Sequence, residues 1–261
     1  MCFTALVLTD LITPMSQPEY KQNEMENSRM SKIGIIGAMD LEVDTLKSKL
    51  TDVTITQKAG MEFHEGTLNG ASVVVVRCGI GKVNAALCVQ IMADVFQATH
   101  IINTGVAGSL NAKLDIGDIL ISQDALHHDM DVRVFGYQLG EVPQMGRLEF
   151  PADARMMELA SSSCKRVCGD IKALFGRVVS GDQFISDNEV KETLINVFHG
   201  DCAEMEGASI AHGAYLNKIP FVIIRAISDK ADGSAEMDYP KFEKAAAEHS
   251  AKLVEDMVAY I

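Results

Sequence analysis

Ile33-Gly-Ile-Ile-Gly-Ala38, leading directly into the stretch 41–50 (Leu-Glu-Val-Asp-Thr-Leu-Lys-Ser-Lys-Leu), decides how the rest of the chain is read. The first half is short, β-branched and apolar at nearly every position, as a strand is when both of its faces are covered. The second half repeats its apolar residues at helical spacing. The same alternation continues downstream. Buried strands are expected over 73–77, 100–104, 119–122, 173–180, 203–205 and 221–227, and helices over 41–50, 83–96, 154–167, 189–198 and 208–216. A last helix is expected over 240–261, with Phe242, Ala246, Leu253, Met257 and Ile261 along one face and Pro240 in its first turn. This pattern predicts an α/β fold: a single three-layer domain with a central, mostly parallel mixed β-sheet flanked by helices. Ligands of such sheets lie at the carboxyl ends of the strands, so chemistry is sought in the segments that follow them.

Composition narrows the function. Of 261 residues, 48% are apolar and 23% charged, which excludes a disordered or collagen-like chain. Lys and Arg number 23 against 36 Asp and Glu, a net charge of −13. So acidic a surface repels phosphate backbones and anionic lipid, so neither nucleic acid nor a membrane is expected as partner, whereas a small neutral or zwitterionic ligand remains open. The six cysteines (Cys2, Cys78, Cys88, Cys164, Cys168 and Cys202) form no C-x-x-C pair and read as reduced, buried thiols of a cytoplasmic protein. No apolar run approaches the roughly 20 residues of a membrane-spanning helix. Residues 1–30 lack the basic start, long apolar core and cleavage site of a signal peptide. They are expected to be a disordered, functionally silent extension, with Met30 an alternative start and the folded domain over 31–261.

Several motifs fail on their spacing. Gly34-Ile-Ile-Gly37 lacks the G-x-G-x-x-G of a dinucleotide site. Gly79-Ile-Gly-Lys82-Val83 has Val where a phosphate loop has Ser or Thr, and Val76 where its first glycine belongs. His127-His128-Asp129 with Asp131 suggests metal ligands, but neighbouring side chains on an extended segment point to opposite faces, and a hydrogen-bonded loop is the better reading. Asn103-Thr-Gly-Val-Ala-Gly108 follows a strand and is either a simple turn or a place where a ligand lies against bare backbone.

Acidic residues at element ends are more telling. Glu42 lies just past the first strand, Glu204 and Glu206 flank Met205, and Asp229 follows Arg225-Ala-Ile-Ser228. Each alone reads as a helix cap about as well as a catalytic group. Acids at three separate places along one edge of one sheet suit general acid–base work on a ligand rich in hydroxyls.

Taken together, 33–43, 79–83, 102–108, 179–185, 204–208 and 225–229 closely resemble the bacterial 5′-methylthioadenosine/S-adenosylhomocysteine nucleosidases of the purine nucleoside phosphorylase-like superfamily, in that family's order and spacing from about Lys32 to the C-terminus. The resemblance implies hydrolysis of the N-glycosidic bond of methylthioadenosine, S-adenosylhomocysteine and 5′-deoxyadenosine, with release of adenine in methionine salvage. It implies that Glu42 activates water with help from Arg225, and that Asp229, beside Ser228, protonates adenine N7. Glu206 would hold the ribose hydroxyls next to Glu204, with Met205 on the sugar, Phe184 stacked on the base and the backbone of Ile185 reading its edge. Met39, Ile80, Val132, Phe135 and Tyr137 would line the 5′-thioalkyl pocket, the last three reaching in from the partner of a homodimer. No metal or organic cofactor is expected. Val106 stands where some members have Ser, leaving the amides of Ala107 and Gly108 to serve there, and Tyr239 stands where some have Phe, which favours polar 5′ substituents. A phosphorylase would need a basic cradle for its anion, and the acidic Glu42 argues for water instead. A futalosine-type hydrolase, differing in the 5′ pocket, and a non-catalytic nucleoside-binding protein on the same fold compete with the nucleosidase reading.

Overall fold

The strand read at 33–38 forms as β1 (Lys32–Gly37), and its side chains divide between two cores: Ile36 faces one, Ile33 and Ile35 the other. β4 (Ala71–Arg77) does the same, sending Val74 and Val76 one way and Val73 and Val75 the other. Continuous apolarity in these strands is thus the consequence of helices on both faces. The computed structural model describes residues 31–169, 171–232 and 234–261; the extension expected over 1–30 lies outside them.

The remaining strands are β2 (Thr51–Lys58), β3 (Met61–Leu68), β5 (His100–Ser109), β6 (Ile119–His127), β7 (Phe150–Pro151), β8 (Ala173–Ser180), β9 (Cys202–Glu204) and β10 (Phe221–Asp229). β5 is the hub. It pairs in parallel with β1 and with β10, and its end pairs antiparallel with β9. β10 runs antiparallel to β6, which is parallel to β8, which is parallel to β9. The pairings β5–β10–β6–β8–β9–β5 therefore close on themselves, while β1, β4, β3 and β2 extend from β5 as an open sheet. The sheet is mixed, as the alternation implies.

Helices α1 (Asp40–Ser48), α3 (Ala154–Val167) and α6 (Ala235–Met257) share one core through Val43, Leu46, Met156, Ala160, Leu253 and Val254. Helices α2 (Lys82–Asp94) and α5 (Gly207–Leu216) share the other through Cys88, Val89, Met92, Ala211 and Ala214. Helix α4 (Asn188–Asn196) covers a smaller cluster with Leu194, Phe198 and Ile185. The five cysteines among the described residues are free and buried.

Three details differ from the sequence reading. The hairpin β2–β3 leaves no trace in the hydrophobic pattern, because β2 is polar and almost wholly exposed and so carries no apolar run. Its continuation into β4 does carry a signal: Asn69 and Gly70 both take positive φ (+48° and +83°), the two-residue turn that Asn-Gly favours. Pro240 does not open its helix; α6 starts five residues earlier at Ala235, and Pro240 sits within it. The proline removes one donor, for the carbonyl of Glu236, an exposed residue. Finally, β5 does not stop at Thr104 but runs through Gly105–Gly108 to Ser109.

Candidate active site

Glu42 lies in the first turn of α1 and folds back over the turn that joins β1 to it. Its Oε2 accepts the N–H groups of Ala38 (2.6 Å) and Met39 (3.0 Å), and its Oε1 accepts the N–H of Val106 (3.1 Å). The helix-cap reading of this residue is therefore met. Burial pushes its carboxyl above the ordinary range, opposed by the Arg225 charge and by the three N–H groups. Val106 thus serves Glu42 through its backbone N–H. The glycines of β5 have a related purpose. A Cβ on Gly105 would collide with Glu42 Oε1 and lie 3.3 Å from Arg225 Nη1, and one on Gly108 would lie 2.7 Å from Asp229 Oδ1. This backbone packs against the protein's own side chains on one side, stays paired with β10 through Gly108, and lines the cavity at Ala107 and Gly108.

Beneath Glu42 lies a closed polar floor. Arg225, on β10, is only 2% exposed. Its Nη2 donates to Asn103 Oδ1 (2.5 Å) and to Glu204 Oε2. Asn103 in turn donates to the carbonyl of Ile36 (2.9 Å). Glu204 also accepts the hydroxyl of Ser180 and the N–H groups of Gly207 (2.8 Å) and Glu206 (3.2 Å). Burial alone would raise the Glu204 carboxyl, but Arg225, Ser180 and Gly207 together hold it below the ordinary range.

The walls are less well supplied. Glu206, entering α5, accepts the N–H of Gly81 on Oε1 (2.8 Å). Burial, followed by the charge of nearby Glu204, pushes it up to about 8. Asp229 accepts the Ser228 hydroxyl on Oδ2 (2.8 Å) and the N–H of Ala231 on Oδ1 (2.7 Å), yet burial still raises it, helped by Asp232 and Asp238. Three carboxyls around one space are thus held above their ordinary range, a condition concentrated at functional sites.

That space is a cavity open to solvent, enclosing about 470 Å³ of empty space when the open solvent at its mouth is included. Glu42, Glu206, Asp229, Ser228, Met205 and Glu204 line it, as do Met39, Ile80, Ala107, Gly108, Phe184 and Tyr239. The Phe184 and Tyr239 rings meet edge to face at 5.7 Å, and the Tyr239 hydroxyl donates to Met39 Sδ (3.3 Å). Other expected residues are placed elsewhere. Arg225 acts from below, and Ile185 buries its side chain in the cluster under α4. Val132, Phe135 and Tyr137 do not line the cavity of their own chain. They lie on and beside a single 3₁₀ turn (Arg133–Phe135) after β6, where Phe135 is 77% exposed. The His127–Asp131 segment spreads apart: His127 packs on Phe150 and His212, Asp129 pairs with Lys82, and Asp131 pairs with Arg133.

Sequence reasoning gives no role to Asn103, Ser180 or the Gly81 N–H. Ser180 and Asn103 lie in quoted motifs but act only through other side chains, and a backbone donor leaves no mark on the residue that supplies it.

The family model described as the phosphorylase superfamily matches residues 32–259. The 5′-methylthioadenosine/S-adenosylhomocysteine nucleosidase of Halalkalibacterium halodurans is 43% identical to this chain over 226 residues, covering 86% of this chain and 96% of that protein. Among solved structures, the nucleosidase of the same name from Neisseria meningitidis, in complex with methylthio-immucillin-A, superposes with a TM-score of 0.86 at 36% identity, covering 89% of this chain and all of that one. The futalosine hydrolase of Helicobacter pylori strain 26695 superposes with a TM-score of 0.84 at 33% identity, covering 89% of this chain and 99% of that one.

Proposed function

This chain belongs to the phosphorylase superfamily and, within it, to the 5′-methylthioadenosine/S-adenosylhomocysteine nucleosidases, and from that premise we propose that it hydrolyses the N-glycosidic bond of those two nucleosides and releases adenine. The observation that carries the reading is the convergence of Glu42, Glu206 and Asp229, each raised by burial, on one cavity.

Breaking a ribosyl C–N bond builds positive charge on the sugar, so carboxylates around it stabilise the transition state more than the ground state. Adenine is a poor leaving group as an anion. Asp229, pushed above its ordinary range by burial and oriented by Ser228 and Ala231, is the acid that gives a proton to N7. Glu42, pinned by three N–H groups and facing the Arg225 charge, takes the proton of the attacking water. Glu206 holds the ribose hydroxyls, Met205 packs on the sugar, Phe184 stacks on the base and the Ile185 backbone reads its edge. Among the residues lining the cavity there is no Lys or Arg, and the one guanidinium nearby is taken up by Glu204 and Asn103. An inorganic phosphate would have to sit among carboxylates, which favours water as nucleophile over phosphorolysis.

The exposed turn around Phe135 supports a homodimer in which Val132, Phe135 and Tyr137 complete the partner's thioalkyl pocket, and the free thiols support a cytoplasmic setting. A futalosine-type activity is favoured only by the Tyr239 hydroxyl at the cavity wall. Adenine release from methylthioadenosine, S-adenosylhomocysteine and aminodeoxyfutalosine separates the two. The proposal expects turnover of the first two, and turnover of aminodeoxyfutalosine alone would reassign the enzyme.

A further inference from the structure

Lys82, at the end of Gly79-Ile-Gly-Lys82, which fails as a phosphate loop, and Asp129 of His127-His128-Asp129, which fails as a metal triad, have no part in the chemistry of the cavity. The fold brings them together. Lys82 Nζ donates to both carboxylate oxygens of Asp129, at 2.6 and 2.7 Å. Asp129 Oδ2 also accepts the N–H of Asp182 (3.1 Å), and Asp182 Oδ1 accepts the N–H of Lys82 (2.9 Å). The segments following β4, β6 and β8 are thereby tied into one closed cycle, with the Lys82 and Asp129 side chains only 22% and 17% exposed.

Helix stability does not explain the lysine. Lys82 is the first residue of α2, where a cation opposes the helix dipole, and Gly81, the N-cap, offers no side chain. The helix receives its cap from Asp182 across the cycle instead. Gly81 itself has φ +97°, a conformation open to glycine, and a Cβ there would lie 3.1 Å from Asp182 Oδ1. The N–H that this fixed glycine presents is the one that Glu206 accepts. Glu206 needs such a hold, because Glu204 two residues away repels its charge.

We propose that the Lys82–Asp129–Asp182 cycle positions Glu206 for the ribose hydroxyls, which makes Lys82 and Asp129 positioning residues for sugar recognition although neither lines the cavity. The inference rests on the assignment of Glu206 to the ribose. Its test is the preference, in kcat/KM, for methylthioadenosine over its 2′-deoxy and 3′-deoxy analogues. General destabilisation would leave that ratio unchanged. Glu206→Gln is expected to erase the preference. Asp129→Asn and Lys82→Met are each expected to reduce it by about tenfold, through KM more than kcat. If Glu206→Gln erases the preference while both cycle variants keep it within about twofold of wild type, the positioning role is overturned and the ribose assignment stands. If Glu206→Gln itself keeps the preference, the ribose assignment fails and the role of the cycle fails with it. Should Asp129→Asn not fold, Lys82→Met opens the same cycle from its other side.

Discussion

Glu204 and Glu206 are two residues apart, point into the same region and are both buried, yet they have opposite electrostatic fates. Glu204 has an arginine, a hydroxyl and backbone N–H groups, and it stays ionised. Glu206 has one N–H and a repelling neighbour, and it is driven toward neutrality. The same contrast divides the whole site into a cross-linked floor of Glu204, Arg225, Asn103 and Ser180, in which only Arg225 Nε lacks a partner, and a wall of Glu42, Glu206 and Asp229 whose carboxyls burial holds above their ordinary range. Groups tied to one another across elements build structure, while carboxyls held above their ordinary range around a cavity are the natural carriers of chemistry. Substituting the floor should therefore cost stability, and substituting the wall should cost activity.

The largest effect is expected at the wall. Asp229→Asn keeps the shape and removes the proton donor, and should lower adenine release about 10²- to 10⁴-fold with the fold intact. Steady-state adenine formation near the wild-type rate would break the comparison. Glu204→Ala, on the floor, leaves Arg225 buried with its principal charge partner gone and should destabilise the protein by about 3–5 kcal/mol in urea unfolding. An equal loss from Glu206→Ala would erase the distinction between the two carboxylates. Gly105→Ala falls between floor and wall, since its Cβ would drive Glu42 away from Arg225. A displacement of that kind is expected to reduce turnover about 100-fold, read as kcat on folded protein.

A pH measurement sharpens the contrast further. Glu206 is raised from 4.5 to about 8, so the folded chain keeps a proton that the unfolded chain releases earlier. Its stabilising contribution is complete below 4.5 and is lost as pH rises through about 8. Unfolding midpoints of the ligand-free protein should accordingly fall across that window relative to Glu206→Gln, and parallel curves for the two proteins would refute the raised value. Smallest of all is Tyr239→Phe. The hydroxyl touches Met39 Sδ and Glu243, and its loss should shift the ratio of S-adenosylhomocysteine to methylthioadenosine turnover only about two- to fivefold.

The wall is legible in the sequence because Glu42 and Glu206 follow buried strands and Asp229 ends one, and strands covered on both faces announce themselves by unbroken apolarity. The helix over 154–167 is equally plain, with Asp153 capping it by accepting the N–H of Met156. Much of the floor is not legible. Asn103 and Ser180 look like ordinary strand residues until the fold places Arg225 and Glu204 beside them. In the sequence the Gly105–Gly108 segment is either a turn or bare backbone for a ligand; in the fold it is strand, Ala107 and Gly108 line the cavity, and the missing side chains make room for Glu42 and Asp229. Lys82 and Asp129 sit in motifs that lack the spacing of their type, and only the tertiary fold shows that they pair.

Everything at the wall converges on the claim that water, not an anion, displaces the protonated base. The direct test is product analysis of methylthioadenosine turnover in phosphate and in phosphate-free buffer. The account predicts equal rates of adenine formation, with free methylthioribose as the other product in both. A rate that depends on phosphate, with methylthioribose 1-phosphate accumulating, would contradict it.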